Sequence, residues 1–291
     1  MVAVKISNFC EEKKIFHEGQ FGSRRKRNTH DALLQLITFV ERAWREKKLA
    51  GAIFMDIKGA YDRVNQRKLT QILMDIGLSQ NLVRWVESFL QGRRAQLVIN
   101  GHECPLRDVP AALPQGSPVS PILYIVYIHI LMKRVEEELP QGLNISFVDD
   151  IGLLAKGNSV EEVTRQLEKA GIFLIQKGKE HKVEFDEGKT EAVLFTRKRG
   201  LNRNIQQAKI NLPNFTCTYN KEATRWLGVW LDSKLSFREH FNIRHQKAEK
   251  VLRMLTALSK RNGLPMSLLH KVQVAAVHSV ALYGLELWWE G

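Results

Sequence analysis

Three aspartates carry the chemistry this sequence could perform. Asp56 closes the apolar run 52–57 (AIFMDI), and Asp149 and Asp150 stand between two short apolar runs, 144–148 and 151–155. An ionised carboxylate at the end of a buried strand is costly unless it is solvated, paired or metal-bound. Adjacent aspartates in a hairpin turn are ordinary turn residues, because Asp tolerates the conformations turns require. Either site alone therefore reads as turn chemistry. On neighbouring strands, however, three hard oxygen donors could hold two Mg²⁺ ions about 4 Å apart and activate a hydroxyl nucleophile.

The composition says what such a site would meet. The 291 residues include 44 Lys and Arg against 31 Asp and Glu, a net charge of +13, with 44% hydrophobic residues. That apolar share excludes a disordered chain, and the charge points to a polyanion, most simply nucleic acid. The longest apolar run, 119–132, contains His129, follows Pro118, includes Pro121 and is too short to span a bilayer. Residues 1–14 have mixed charge and no apolar stretch, so they read as no secretory leader, and no membrane partner is expected. Cys10, Cys104 and Cys217 are far apart, which suits a reduced, intracellular protein. His240 and His245 lie five apart, off one helical face, so zinc is not expected.

The elements that must position the aspartates can be read from periodicity and punctuation. After the basic loop FGSRRKR (21–27), Asn28 or Thr29 caps a helix with apolar Leu33, Leu34, Ile37, Val40 and Trp44. Residues 52–57 form a strand, and helices over 66–76 and 81–90 end at Gly77 and Gly92. Asn100-Gly101 turns a hairpin, and a Pro/Gly loop leads into a helix over 121–138. Residues 144–148 and 151–155 make a hairpin with the aspartates at its tip, and Ser159 with Glu162 opens a helix as a capping box. Strands are expected at 183–185, 191–195 and 226–231. Beyond residue 232 the pattern is helical, starting from Ser236 and Glu239. The fold class is thus α+β followed by a helical module.

The motifs FMDIKGAYD (54–62), LPQGSP (113–118) and FVDD (147–150) occur in one order and resemble those of the reverse transcriptase family. The texture is most similar to LINE-type (non-LTR) retrotransposon enzymes, with fungal elements nearest. FGSRRKRNTHDAL resembles that family's fingers motif, Gly188-Lys189 its motif D, WLGVWLD its primer-grip hairpin, and LYG (282–284) with Trp288-Trp289 its signature after the thumb. The resemblance runs from about Phe21 to the C-terminus.

The resemblance implies a right-hand polymerase fold: a lead-in over 1–20, incomplete fingers and a palm over 21–232, and a helical thumb over 233–291. It implies RNA-directed DNA synthesis, with an RNA template, a DNA primer, dNTPs and two Mg²⁺ ions (Mn²⁺ as a substitute), in the nucleus or a retroelement ribonucleoprotein. Asp56, Asp149, Asp150 and the Ile57 carbonyl would hold metal. Tyr61 would lie under the incoming sugar, and Gln115 and Gly116 against the base pair and nucleotide. Lys189 would assist the departing pyrophosphate. Arg24 and Arg25 would meet nucleotide phosphates. Lys247, Lys250 and Arg253, continuing to Lys260 and Arg261, would track the duplex, unless that face is merely solvated. Trp226 and Gly228 would join the nucleic-acid surface, although Trp226 and Trp230, taken as neighbours on one strand face, also suit a core.

Two expectations mark departures from the family pattern. Fingers strands with a triphosphate grip are missing before Phe21, and neither an endonuclease nor a C-terminal Cys/His region is present, so a polymerase core that is a fragment, a truncated gene product or a remnant is expected. A non-catalytic nucleic-acid binder is the alternative. An RNA-dependent RNA polymerase is disfavoured by Tyr61 and by FVDD in place of GDD.

Overall fold

A computed structural model describes residues 1–109, 113–263 and 265–289, without the side chains of 202, 258–262 and 266. Lys260 and Arg261 lie outside the described side chains. The chain opens with helices α1 (Val2–Glu12) and α2 (Thr29–Arg45), then strand β1 (Leu49–Asp56). Helices α3 (Gln66–Asp75) and α4 (Gln80–Leu90) lead to a hairpin arm of four two-residue strands, β2 (Arg94–Ala95), β3 (Val98–Ile99), β4 (His102–Glu103) and β5 (Arg107–Asp108). Helix α5 (Ser120–Glu138), strands β6 (Leu143–Phe147) and β7 (Asp150–Gly157), helix α6 (Val160–Glu180) and strand β8 (Glu191–Phe195) follow. Then come α7 (Asn202–Gln207), the hairpins β9 (Lys209–Asn211) with β10 (Thr216–Thr218) and β11 (Thr224–Trp226) with β12 (Val229–Leu231), and helices α8 (Arg238–Asn262) and α9 (Met266–Gln273).

The central sheet has the order β6-β7-β1-β8, every pair antiparallel. Its middle strand β1 is buried on both faces, so its sequence is a continuous apolar run rather than an alternating one. Ile53 and Met55 join the core under α5 and α6. Ala52 and Phe54 face the opposite core with α2 and the β11–β12 hairpin. The only half-buried residue of the strand is its last, Asp56.

Several sequence expectations are corrected here. The stretch 183–185 is not a strand, because its backbone meets β1 only beyond the strand's end. Lys58 N–H donates to Glu184 carbonyl and Asp186 N–H to Asp56 carbonyl, both at 2.8 Å. The stretch 226–231 is two strands, not one, turned by Leu227 and Gly228 at φ of 45° and 82°. Trp226 pairs with Val229 and Trp230 with Arg225, which puts the two tryptophans on opposite faces. Helix α8 is not opened by a Ser236 capping box. Asp232 instead accepts from the N–H groups of Lys234, Ser236 and Phe237.

Residues 1–20, expected to be a lead-in, are part of the fold. Ile6, Cys10 and Phe16 are buried in the core beneath α5. The following loop lies along β6: Phe21 N–H donates to Ser146 carbonyl and Ser146 N–H to Gly19 carbonyl, both at 2.8 Å. Gly19 is required by this approach, since a Cβ there would sit 1.9 Å from the Asn144 oxygen. Buried Gln20 caps the arrangement, its Oε1 accepting from Gly22 N–H (2.9 Å) and Val148 N–H (3.1 Å).

Gln20→Leu removes the acceptor from both N–H groups while keeping the volume. The expected loss is about 2–4 kcal/mol of unfolding free energy, checked by urea denaturation. An unchanged midpoint would show the Val148 turn standing without Gln20.

Candidate active site

The three aspartates meet at one end of the sheet. Asp56, last in β1, is directly opposite Asp150, first in β7. Phe147 pairs with Asp150, so Val148 and Asp149 form a two-residue turn with Val148 at φ 61°. That conformation is uncommon for a β-branched residue, and Gln20 holds it through the Val148 N–H. Asp149 thus depends on a residue 129 positions earlier in the chain.

Gathering carboxylates here has an electrostatic consequence. Burial raises the Asp150 carboxyl to about 6, with the charges of Asp149 and Asp56 adding to the effect and Lys189 opposing it. Burial likewise raises Asp149, again with a contribution from Asp56. One cation answers them: Lys189 Nζ donates to Asp56 Oδ2 at 2.8 Å and lies 3.9 Å from Asp186 Oδ2. The Asp56 bond is the main cause of the raised Lys189 ammonium. Lys189 reaches that position because the 184–186 backbone is bonded to the end of β1. Among the described residues, no group of three or more His, Cys, Asp or Glu side chains is placed to hold a metal ion as it stands.

Aromatic residues floor the site. Tyr61 is half-buried, with its ring 5.3 Å from that of Tyr124. Burial raises the Tyr61 hydroxyl, with Asp149 as second cause. Tyr124 is fully buried on α5 with no partner for its hydroxyl among the described residues, and burial followed by Asp149 pushes it well up. The LPQG loop is tied to Tyr61, whose carbonyl accepts from Leu113 N–H at 3.0 Å, while Ser120 Oγ donates to Pro114 carbonyl at 2.6 Å. Gln115 and Gly116 are exposed, and Gly116 at φ 86° faces open space. Ile57 is buried and pairs with Phe185. Gln20 and Tyr124 escaped the sequence reading. Gln20 acts across a long sequence gap, and Tyr124 looked like one more apolar-helix residue.

Other sequence-named residues lie elsewhere. Arg24 is buried, donating to Glu11 in a bidentate pair (2.9 and 2.6 Å) and to the His17 carbonyl at 2.9 Å. Its guanidinium fastens the 17–22 loop to α1 and has no face left for a phosphate. Arg25 is exposed, with one bond to Asn8 at 2.8 Å. Trp226 is buried and stacked on Phe54 at 5.1 Å, so it is a core residue and not a base platform. Gly228 is covered by Tyr283, whose hydroxyl donates to Leu227 carbonyl at 2.7 Å. Lys247, Lys250 and Arg253 are exposed along α8, Arg253 paired with Glu249 at 2.9 Å.

Carboxylates at the end of β1 and at the β6–β7 turn, in this antiparallel sheet, come with a family match. The model of the reverse transcriptase (RNA-dependent DNA polymerase) family matches residues 1–231. The chain belongs to the reverse transcriptase family. That match takes in residues 1–20, earlier than the Phe21 start expected from motifs. The RNA-directed DNA polymerase from mobile element jockey of Drosophila funebris is 27% identical over 99% of this chain and 31% of its own length. The probable RNA-directed DNA polymerase from transposon X-element of Drosophila melanogaster is 25% identical over the same shares. Both relatives come from flies, not from fungi. The chain therefore spans about a third of the length of these curated relatives. A telomerase structure from Candida tropicalis, in complex with a TWJ fragment of telomeric RNA, aligns at a TM-score of 0.55 and 12% identity. It covers 99% of this reverse transcriptase chain and 52% of the telomerase chain, and shows a shared right-hand polymerase fold.

The raised Asp150 carboxyl gives a pH signature. The folded chain holds this proton more tightly than the unfolded one, so the associated stability is complete below about pH 4 and is lost as pH rises through about 6. Asp150→Asn should therefore be more stable than the native chain by about 1–2 kcal/mol at pH 7.5 in chelator, after discounting for partial exposure. The gap should vanish near pH 4. Melting temperatures between pH 4 and 8 check this, and parallel profiles would contradict it.

Proposed function

We propose that this chain is the polymerase core of a LINE-type element, extending a DNA primer on an RNA template with dNTPs. The observation that carries the reading is the meeting of Asp56, Asp149 and Asp150 at one sheet end, with the Lys189 ammonium on Asp56. Two divalent ions suit the donor set in kind: the carboxylates are hard oxygen ligands, and their mutual repulsion is what a dication relieves. Asp56, Asp149, Asp150 and the Ile57 carbonyl would hold them. When bound, such ions lower the charge on the reacting phosphate and polarise the attacking hydroxyl.

The rest of the chemistry falls to side chains. Lys189 leaves Asp56 for the pyrophosphate, placing a mobile positive charge where negative charge develops. Tyr61, backed by Tyr124, walls the sugar and excludes a 2′-hydroxyl by clash. The exposed Gln115-Gly116 turn, anchored to the Tyr61 carbonyl, meets the nucleotide and its paired base. Arg25 remains open to nucleotide phosphates, and the outer face of α8, with Lys247, Lys250 and Arg253, follows the duplex backbone. A polyanionic template matches the net charge of +13. Partial fingers and a palm over residues 21–232, a helical thumb from 233 and an intracellular setting, in the nucleus or a retroelement ribonucleoprotein, complete the reading.

Primer extension on homopolymer RNA tests it. Asp149→Asn should lower extension at least 10³-fold while primer-template affinity changes less than about threefold, because binding rests on distributed cations. Wild-type rates in that variant would remove Asp149 from the chemistry. In the same assay Tyr61→Val should raise the ribonucleotide-to-deoxynucleotide ratio of kcat/KM by orders of magnitude. An unchanged ratio with a lower melting temperature would make Tyr61 a packing residue only.

A further inference from the structure

The sheet has a second charged end. At the start of β1, opposite in the strand from Asp56, the chain leaves α2 through Arg45, Lys47 and Lys48. Strand β8 finishes at the same end, since Phe195 pairs with Ala50, and continues into Thr196, Arg197 and Lys198. Between these two segments lies a cleft of about 590 Å³ lined by Trp44, Arg45, Lys47, Lys48, Arg197 and Lys198, with Glu41 the only acid. Eight residues of extended β1 place it about 23 Å from the carboxylates.

Its cations are only partly answered. Arg45 lies 3.6 Å from Glu41, and Lys48 lies 3.1 Å from Glu46, a carboxylate that also binds Lys156 at 2.8 Å. Lys47, Arg197 and Lys198 are exposed and have no ion pair among the described residues. Arg197 instead lies over the Trp44 ring, 4.2 Å from its centroid, and Trp44 Nε1 donates to Phe195 carbonyl at 3.4 Å. Like charges converging in a concave cleft repel one another, and a polyanion relieves that repulsion. The exposed Arg197 guanidinium, backed by the half-buried Trp44 ring, offers its outer face for a base to stack on.

We propose that this cleft is a second nucleic-acid site, binding the backbone of a single strand remote from the carboxylate end. It borrows from the proposed function only the class of ligand and does not depend on catalysis. A strand long enough to reach both ends of the sheet would be held twice, whereas a short primer-template would be held once.

The test is the triple variant Lys47→Glu, Arg197→Glu, Lys198→Glu. Binding of a 40-nucleotide single-stranded RNA, and of the matching DNA, is followed by fluorescence anisotropy across a salt series. Losing three phosphate contacts should flatten the log–log salt slope by about two units and weaken binding at 150 mM salt at least tenfold. Extension of a short hairpin primer-template and the melting temperature should stay unchanged, and Lys47→Arg with Lys198→Arg should bind as the native chain does. An RNA and DNA response alike supports a backbone site, and an RNA-only response supports one that also reads the 2′-hydroxyl. An unchanged slope overturns the proposal. So does an equal loss of short-substrate binding, or a loss confined to anionic lipid vesicles. If the native chain never extended a primer, a flattened slope would still uphold this site, so the two readings fail separately.

Discussion

Repulsion among three carboxylates governs the design of this molecule. Asp56, Asp149 and Asp150 share one end of a buried sheet, where burial and proximity raise two of them. Left alone, such a group would push the β6–β7 turn away from β1. Two devices oppose this. Lys189 supplies a positive charge from a loop bonded to the end of β1. Gln20 clamps the turn from behind through the Val148 N–H. Both are polar contacts from distant sequence, so the site is assembled by the tertiary fold rather than by any local motif.

The surroundings make sense as support for that end. The 17–22 loop reaches β6 because Gly19 allows close approach and Arg24 ties the loop to Glu11 on α1. His17 adds a second tie, donating through Nε2 to Glu136 on α5 (3.0 Å) while its Nδ1 accepts from Gly19 N–H (2.9 Å). On the far side of the sheet, Trp226 fills the space beneath Phe54 and docks the β11–β12 hairpin. His240 then links that hairpin to the C-terminal segment, accepting from Trp230 N–H and donating to Tyr283 carbonyl. The Trp226 and His240 side chains thus connect the helical module to the strand that ends in Asp56.

Much of this was legible in the sequence because its signals are local. The apolar run before Asp56, the paired aspartates between two short runs and the Asn100-Gly101 turn each carry their own periodicity or turn chemistry. Arg24 reads as a phosphate contact because it stands in a basic loop of a basic protein, whereas its partner Glu11 sits on α1, a helix with no local signal that ties it to the loop. Motif alone puts Trp226 on the nucleic-acid surface, and the alternative place in the core is the one that alternation along β11 gives it. The stretch 183–185 has strand-like residues but lies past the end of β1, leaving it one bridge rather than a ladder. Gln20 has no sequence signature, because a glutamine serving two N–H groups is recognisable only once the turn and loop are side by side.

On the proposed reading, divalent cations and Lys189 compete for the carboxylate cluster. Calorimetric titration of the intact chain with Mn²⁺ at pH 7.5 measures this competition without requiring catalysis. Saturable binding is expected, lost in Asp56→Asn/Asp149→Asn and tightened several-fold in Lys189→Ala, where the competing ammonium is gone. Equal Mn²⁺ binding by the native chain and the double asparagine variant would contradict that reading.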